Sequence, residues 1–156
     1  MARLEEPLED FSKFETPIRV RYSETDQMGQ AYYANYLVWF EAARGHLMRQ
    51  LGLPYGRLEE AGFLLPVTHF SARLVLPARY DDELHVQAWI PAIRSRGIEF
   101  TYQVRRQDEI LARGSTHHVS VDRSGRPVRL PDQALSLLRA YRDRWPVPDG
   151  CGYDPI

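Results

Sequence analysis

One long apolar helix among several strand-like runs constrains the fold of this chain more than any other feature. The helix is indicated by five apolar residues at helical spacing: Tyr36, Phe40, Ala43, Leu47 and Leu51. Gly52 and Pro54 then supply a helix stop. Alternating apolar residues predict one strand before the helix, at residues 16–22, and four after it, near residues 70–76, 84–90, 98–104 and 110–121. Strands grouped in this way predict an α+β domain with an antiparallel sheet curved around the helix.

The length of 156 residues fits a single domain, because domains cluster at roughly 100–150 residues. Residues 1–15 are charged and are predicted to form a flexible N-terminal segment. Residues 16–142 hold the predicted domain, which ends with an amphipathic helix at 131–142. Residues 143–156 are rich in proline and glycine, which predicts an irregular C-terminal tail. The apolar parity shifts within the last strand, so we expect a bulge there or a strand buried on both faces.

Composition argues against several classes of function. The formal net charge of −1 argues against bulk attraction to nucleic acid or to an anionic membrane. No run approaches the ~18 apolar residues of a membrane span, and the acidic first residues lack an apolar signal region. The single cysteine, Cys151, rules out an intrachain disulfide and is assigned no catalytic role. We therefore expect a soluble, cytoplasmic protein.

A carboxylate lies in a short glycine-containing turn just before the long helix. Asp26 stands three residues before Gly29 and seven before Tyr33, which leads into the apolar helix. A helix N-terminus offers unpaired amides and a positive dipole end, and these can polarise a carbonyl. A carboxylate beside that end can attack the carbonyl or activate water. The alternative is that Asp26 only caps the turn, as Asp and Asn residues often do.

The segment that runs Asp26-Gln-Met-Gly-Gln-Ala-Tyr-Tyr-Ala-Asn-Tyr36 resembles the hotdog-fold acyl-CoA thioesterases. The specific likeness is to the 4-hydroxybenzoyl-CoA thioesterase family and its Tol–Pal-associated bacterial relatives, over about residues 15–131. Two later stretches support it, Pro77-Ala-Arg-Tyr-Asp-Asp-Glu-Leu84 and Ala112-Arg-Gly-Ser-Thr-His-His-Val119. The resemblance implies a hotdog fold, in which a curved antiparallel sheet wraps one long central helix. It also implies hydrolysis of an acyl-CoA thioester.

The resemblance implies a role for three residues of the opening segment. Asp26 matches the family's essential carboxylate, Gly29 its turn glycine, and Tyr33 the residue whose backbone amide binds the thioester carbonyl. The Tol–Pal relatives resemble this pattern with a histidine in place of Tyr33, so any role of that imidazole does not transfer. Sequence alone would place the helix N-cap near Asn35, two residues later. Asp26 would act either as a base for water or as a nucleophile that forms a transient anhydride.

Further residues are candidates for contacts with the substrate. Tyr32 could line the acyl pocket, and the resemblance puts the region of His69 at such a pocket across a subunit interface. For both residues, core packing or a surface position is the alternative. Coenzyme A carries phosphates, and the candidates to contact them are the hairpin Arg94-Ser95-Arg96 and Arg126 or Arg129. The resemblance favours the hairpin at 94–96.

Two other carboxylates, Glu24 and Glu41, compete with Asp26 for the catalytic role. Glu41 lies within the helix and has Arg44 three residues further on, which predicts a local ion pair. None of the five histidines forms a His-Glu-x-x-His pattern, and no cysteine cluster accompanies them. We therefore expect neither a metal site nor a cofactor.

The predicted function is hydrolysis of an acyl-CoA thioester to the free acid and CoA. The rivals are a hotdog hydratase or dehydratase and a non-catalytic acyl-CoA-binding module. A single subunit would leave a sheet edge and one sheet face exposed, and unpaired edges are a liability. A homodimer joined edge to edge, or a homotetramer with a further face-to-face pairing, would cover them. The active sites would then lie at the dimer interface.

Overall fold

The computed structural model describes residues 10–151, and in that part of the chain it contains five β-strands and three α-helices. The strands are β1 (Thr16–Arg19), β2 (Val67–Leu74), β3 (Glu83–Arg94), β4 (Gly97–Arg106) and β5 (Glu109–Val119). The helices are α1 (Ala34–Gln50), α2 (Tyr55–Glu60) and α3 (Asp132–Arg144). The 17-residue α1 is the predicted long helix, and the α+β prediction is confirmed. Within the described residues, no helix is both long and apolar enough to cross a membrane.

All five strands belong to one antiparallel sheet, in the order β1-β3-β4-β5-β2. Hairpins join β3 to β4 and β4 to β5, whereas β1 and β2 pair with strands distant in sequence. These two strands therefore form the edges of the sheet. A register shift between Val104 and Arg105 puts a bulge in β5 between Ile110 and Ala112, ahead of the stretch from Gly114 to Val119 where the apolar parity of the sequence changes. In that stretch the pairing is regular, and the adjacent residues Ser115 and Thr116 are both buried, so the strand is covered on both faces there.

The helix α1 packs its apolar residues on one face of the sheet at short range. Phe40 stacks on Tyr102 of β4, with 4.5 Å between the ring centroids and 6° between the ring planes. Gly114 of β5 makes room for this ring. A Cβ at Gly114 would lie 2.6 Å from Phe40 Cζ and 2.6 Å from the carbonyl oxygen of Ser71. Close approach of the helix to the sheet thus requires a glycine at this strand position.

One cationic side chain of α1, Arg44, lies in the core. Its Nη1 donates to the hydroxyl of Tyr102 at 3.1 Å, and the residue is buried. Glu41 is exposed on the same helix. The predicted ion pair between Glu41 and Arg44 is not found among the described residues, because Arg44 turns inward and bonds across the core instead.

The segments before β1 and after α3 pack on the domain. Phe14 is 3% exposed and belongs to the core, and Phe11 stacks on Trp89 at 5.4 Å. Trp145 covers Phe11 with 5.3 Å between the ring centroids. Phe11 and Phe14 therefore attach this segment to the domain, although the sequence predicted a flexible segment over residues 1–15. Residues 1–9 lie outside the described residues.

The C-terminal segment differs from the prediction at its start, because α3 continues to Arg144. From Trp145 to Cys151 the chain has neither helix nor strand. The thiol of Cys151 donates to Gln103 Oε1 at 2.7 Å, which ties this segment to β4. Residues 152–156 of the predicted tail lie outside the described residues.

Candidate active site

Asp26 stands at the beginning of a tight loop that closes on itself. Its amide donates to the carbonyl of Gln30 at 2.8 Å, and the amide of Gly29 donates to the Asp26 carbonyl at 3.0 Å. Gly29 has a φ of 75°, a conformation that favours glycine. Asp26 Oδ1 accepts the amide of Met28 at 2.9 Å, whereas Oδ2 accepts no hydrogen bond from the described residues. One oxygen thus caps the turn, and the other stays open to chemistry.

The segment before β3 holds this loop from one side. The amide of Ala31 donates to the Ala78 carbonyl at 2.7 Å, and Arg79 Nη1 donates to the Gly29 carbonyl at 3.2 Å. The amide of Ala78 donates in turn to the hydroxyl of Tyr36 on α1 at 3.2 Å. The segment at residues 77–84, which in the sequence is only a supporting match to the family, therefore fixes the loop against the helix.

Glu24 holds the loop from the other side and is buried, with 6% of its surface exposed. Its Oε2 accepts the indole N–H of Trp39 at 2.9 Å, and its Oε1 accepts the amide of Arg21 at 2.9 Å. Its carbonyl accepts both the amide of Tyr32 and Nδ2 of Asn35 at 2.8 Å. Burial raises the pKa of Glu24, but the N–H donors of Arg21 and Trp39 outweigh burial and hold that pKa below its usual range. A carboxylate so occupied is a poor competitor for the role of base.

The helix α1 begins at Ala34, with Tyr33 as its N-cap. The N-cap predicted at Asn35 is therefore wrong by two residues, because the Asn35 side chain bonds to the Glu24 carbonyl instead of capping the helix. No side chain caps the helix at Tyr33. The Tyr33 amide also forms no hydrogen bond within the described residues. An unpaired amide donor thus stands at the helix N-terminus, where the chain leaves the Asp26 loop.

Tyr32 and Tyr33 form an exposed aromatic pair between that loop and the helix, with ring centroids 4.5 Å apart. A hydrogen bond to Tyr33 raises the pKa of the Tyr32 phenol, and the charge of Asp26 adds to this effect. The contact between the two tyrosines therefore favours the protonated form of the Tyr32 hydroxyl. Asp26, Gly29, Tyr32 and Tyr33, all predicted site residues, are brought together in one loop.

The remaining predicted residues lie at a second place on the sheet. Arg94-Ser95-Arg96 lie at the exposed turn between β3 and β4, where Arg94 Nη1 pairs with Glu99 Oε1 at 3.4 Å. These residues line a surface hollow together with His117. His69 is exposed on β2, with its ring 5.1 Å from that of His117. None of the residues that line the hollow belongs to the loop at 26–33.

Sequence reasoning missed the contacts that hold the loop in place. Trp39 and Asn35 look like core and cap residues in the sequence, but both donate to Glu24. Ala78 carries no chemical signal beyond its place in the matched motif at 77–84. Among the described residues, no group of three or more His, Cys, Asp or Glu side chains could hold a metal ion.

Known proteins resemble this chain over most of its length. Residues 20–138 match the model of the thioesterase-like superfamily. YneP of Bacillus subtilis, described as a candidate acyl-CoA thioesterase, is 35% identical over 114 residues, which cover 72% of this chain and 83% of YneP. The acyl-CoA thioesterase YbgC of Haemophilus influenzae is 30% identical over 127 residues, which cover 80% of this chain and 93% of YbgC.

A solved structure has a fold similar to that of this chain. The crystal structure of a hypothetical protein from Thermus thermophilus superposes with a TM-score of 0.79 and 35% identity. The match covers 81% of this chain and 98% of that protein.

Proposed function

The chain belongs to the thioesterase-like superfamily and has the hotdog fold, and on this basis we propose that it hydrolyses acyl-CoA thioesters to a free acid and CoA. One observation carries the mechanism. The half-buried carboxylate of Asp26 and the unpaired amide of Tyr33 stand at the two ends of one short, tightly held loop. Within the superfamily, the motif from Asp26 to Tyr36 favours the 4-hydroxybenzoyl-CoA thioesterase family and its Tol–Pal-associated relatives.

A thioester carbonyl placed at the start of α1 would accept the Tyr33 amide. The amide and the helix dipole would then stabilise the negative charge that develops on the carbonyl oxygen. One such donor contributes on the order of 3 kcal/mol to transition-state stabilisation. The donor is part of the backbone, so it does not depend on the tyrosine side chain.

Asp26 would supply the second part of the reaction by one of two routes. As a general base, it takes a proton from water while the water oxygen attacks the carbonyl carbon. As a nucleophile, it forms an anhydride that water then hydrolyses. In both routes the carbon–sulfur bond breaks, CoA leaves as a thiolate that takes up a proton, and the acid is released. The open Oδ2 of Asp26 suits either route.

Substrate contacts would come from the other predicted residues. Gly29 and Tyr32 would flank the carbonyl site in the loop, and the exposed ring of Tyr32 would line the acyl pocket. The exposed turn Arg94-Ser95-Arg96 would contact the CoA phosphates, because guanidinium groups bind phosphate oxygens in pairs. His69 would line the acyl pocket.

These contacts require two copies of the chain. His69 and the turn at 94–96 lie apart from the Asp26 loop in one subunit, and β2 is an open sheet edge. On this strand, Phe70 is 58% exposed and Leu74 is 45% exposed. A homodimer joined through β2 would cover them and bring strands of one subunit to Asp26 of the other. A homotetramer would bury a further face of the sheet. We also propose that the protein acts in the cytoplasm.

The test is release of free thiol from a panel of acyl-CoAs by the wild type, Asp26→Asn and Asp122→Asn. Asp122 caps another exposed turn through its Oδ1, which accepts the amide of Ser124 at 2.8 Å, so the second variant makes the same chemical change elsewhere. We expect Asp26→Asn to lower kcat at least about 100-fold and Asp122→Asn to leave it unchanged.

Thermal unfolding should be similar in all three proteins, because Asn keeps an oxygen that can accept the turn amide. Turnover near the wild-type level in Asp26→Asn would overturn the catalytic assignment. Acyl-CoA binding without thiol release by the wild type would indicate a binding module instead of an enzyme.

A further inference from the structure

Glu24 ties together both ends of the loop that carries Asp26. It stands two residues before Asp26, and its carbonyl accepts the Tyr32 amide and Nδ2 of Asn35, each at 2.8 Å. A β-bridge between Thr25 and Ala31 closes the loop just beyond this point. Any displacement of Glu24 would therefore also displace Asp26, which lies at one end of the loop.

The side chain of Glu24 joins the same point to the body of α1. Its Oε2 accepts the indole N–H of Trp39 at 2.9 Å in a buried contact. Trp39 lies five residues beyond the start of α1, and its ring packs on Tyr36 at 4.8 Å. The helix body, its first residues and the loop are thus linked through one residue.

From this geometry we propose that Glu24, acting through Trp39, is a positioning residue that sets the place of the Asp26 carboxylate relative to the amide at the start of α1. The inference rests on the proposed thioesterase function and adds a residue that touches no substrate. Both reacting groups must face one carbonyl, and a misplacement of about 1 Å can cost on the order of 100-fold in rate.

The contacts of Glu24 also explain why a carboxylate is needed there. Both oxygens face N–H donors only: Arg21 N at 2.9 Å and Arg21 Nε at 3.3 Å for Oε1, and Trp39 Nε1 for Oε2. A glutamine has the same shape but carries an NH₂ group on one side. That NH₂ group would face the N–H of Trp39 or the N–H groups of Arg21, and two donors cannot bond to each other. Glu24→Gln therefore disturbs the link while it changes the volume very little.

The experiment compares kcat and KM for thiol release in Glu24→Gln, Trp39→Phe and the double variant, well below their unfolding temperatures. Trp39→Phe removes the same hydrogen bond from the other partner, so the link stays testable if one variant does not fold. The control is Tyr141→Phe, which removes a buried hydrogen bond of 2.6 Å to the Ala88 carbonyl, away from the loop. Hydrogen exchange of the amides at 26–33 gives a readout independent of activity.

We expect each single variant at the link to lower kcat by about 30- to 100-fold, with KM changed by less than about threefold. The double variant should be no slower than the slower single variant, because the two residues act as one unit. Amides at 26–33 should exchange faster, and Tyr141→Phe should keep the wild-type kcat.

Folded variants with wild-type kcat would overturn the inference, and so would losses that simply multiply in the double variant. An equal loss of kcat in Tyr141→Phe would show a general effect of stability and would overturn it as well. A wild type that releases no thiol from any acyl-CoA would instead overturn the proposed function. In that case unchanged exchange at 26–33 in Glu24→Gln would separately count against the positioning role.

Discussion

Thr116 Oγ1 lies 2.9 Å from Nε2 of His118 inside the domain, on the face of β5 that meets α1. The same hydroxyl is hydrogen-bonded to the Tyr102 hydroxyl at 2.6 Å, and Tyr102 accepts a hydrogen bond from Arg44. Nδ1 of His118 lies 3.0 Å from the Leu65 carbonyl. A buried polar chain therefore runs from α1 across two strands to the segment before β2, and its histidine makes stability depend on pH.

Stability should fall as the pH drops from about 6.5 towards 4. Burial lowers the pKa of His118 to about 4, and the charges of Arg44 and His117 add to this, although the contact with the Leu65 carbonyl opposes it. The unfolded chain, with an ordinary histidine pKa of about 6.5, binds the proton first, so acid favours unfolding. The contribution of neutral His118 is complete above that pH. Over the window the loss is on the order of 3 kcal/mol.

Urea unfolding of the wild type and of His118→Gln at several pH values between 4 and 7 measures this effect. The glutamine does not titrate, so the slope of stability against pH should be smaller in the variant over this window. Equal slopes in the two proteins would contradict the assignment to His118.

Replacement of Tyr33 can separate its amide from its side chain. Its φ of −56° is one that proline adopts, and its amide bonds to nothing in the described residues, so Tyr33→Pro removes the donor without breaking a hydrogen bond. We expect Tyr33→Pro to lower kcat by about 100-fold or more, as the loss of an oxyanion donor does.

Tyr33→Ala is the matched control, because it removes the same side chain and keeps the amide. Its kcat should stay within about tenfold of the wild type on the same acyl-CoA, which corresponds to about 1.4 kcal/mol. Similar kcat values in Tyr33→Ala and Tyr33→Pro, with both proteins folded, would count against the amide.

A substitution in the turn between β3 and β4 should weaken substrate binding and leave turnover unchanged. Arg96 is exposed there, and loss of one charged contact to a phosphate should raise the KM for acyl-CoA by about 3- to 10-fold. Steady-state kinetics of Arg96→Ala measures this, with kcat expected to change little. Arg139→Ala, an exposed site on α3, is the control. An unchanged KM in Arg96→Ala would remove this turn from the binding site.

A charge on the open edge should separate the subunits. Phe70→Asp would place a carboxylate in the interface proposed for β2 and should weaken dimerisation by at least about 100-fold. Light scattering during size-exclusion chromatography measures the mass, and thiol release should fall with it because the site is shared. Ala140→Asp, on an exposed part of α3, should leave both unchanged. A wild type that is monomeric at micromolar concentration would contradict the dimer.

Local patterns in the sequence determined the elements of this protein. Helical spacing from Tyr36 to Leu51 and strand alternation after it depend on neighbours two to four residues apart, and these predicted α1 and the strands. The motif around Asp26 likewise lies within one short stretch of chain. A segment with such a pattern can form its helix or strand before distant parts of the chain pack against it.

Only the tertiary structure decided which polar side chains of these elements bond to each other. Glu24 and Trp39 are 15 residues apart, and Arg44 and Tyr102 are 58 apart. Arg44 was expected to pair with Glu41 on the helix surface, and Asn35 was expected to cap the helix, because local partners are all that a sequence shows. Burial against the sheet and the loop removed water from these groups, and each then bonded to the polar atom that packing had brought within reach.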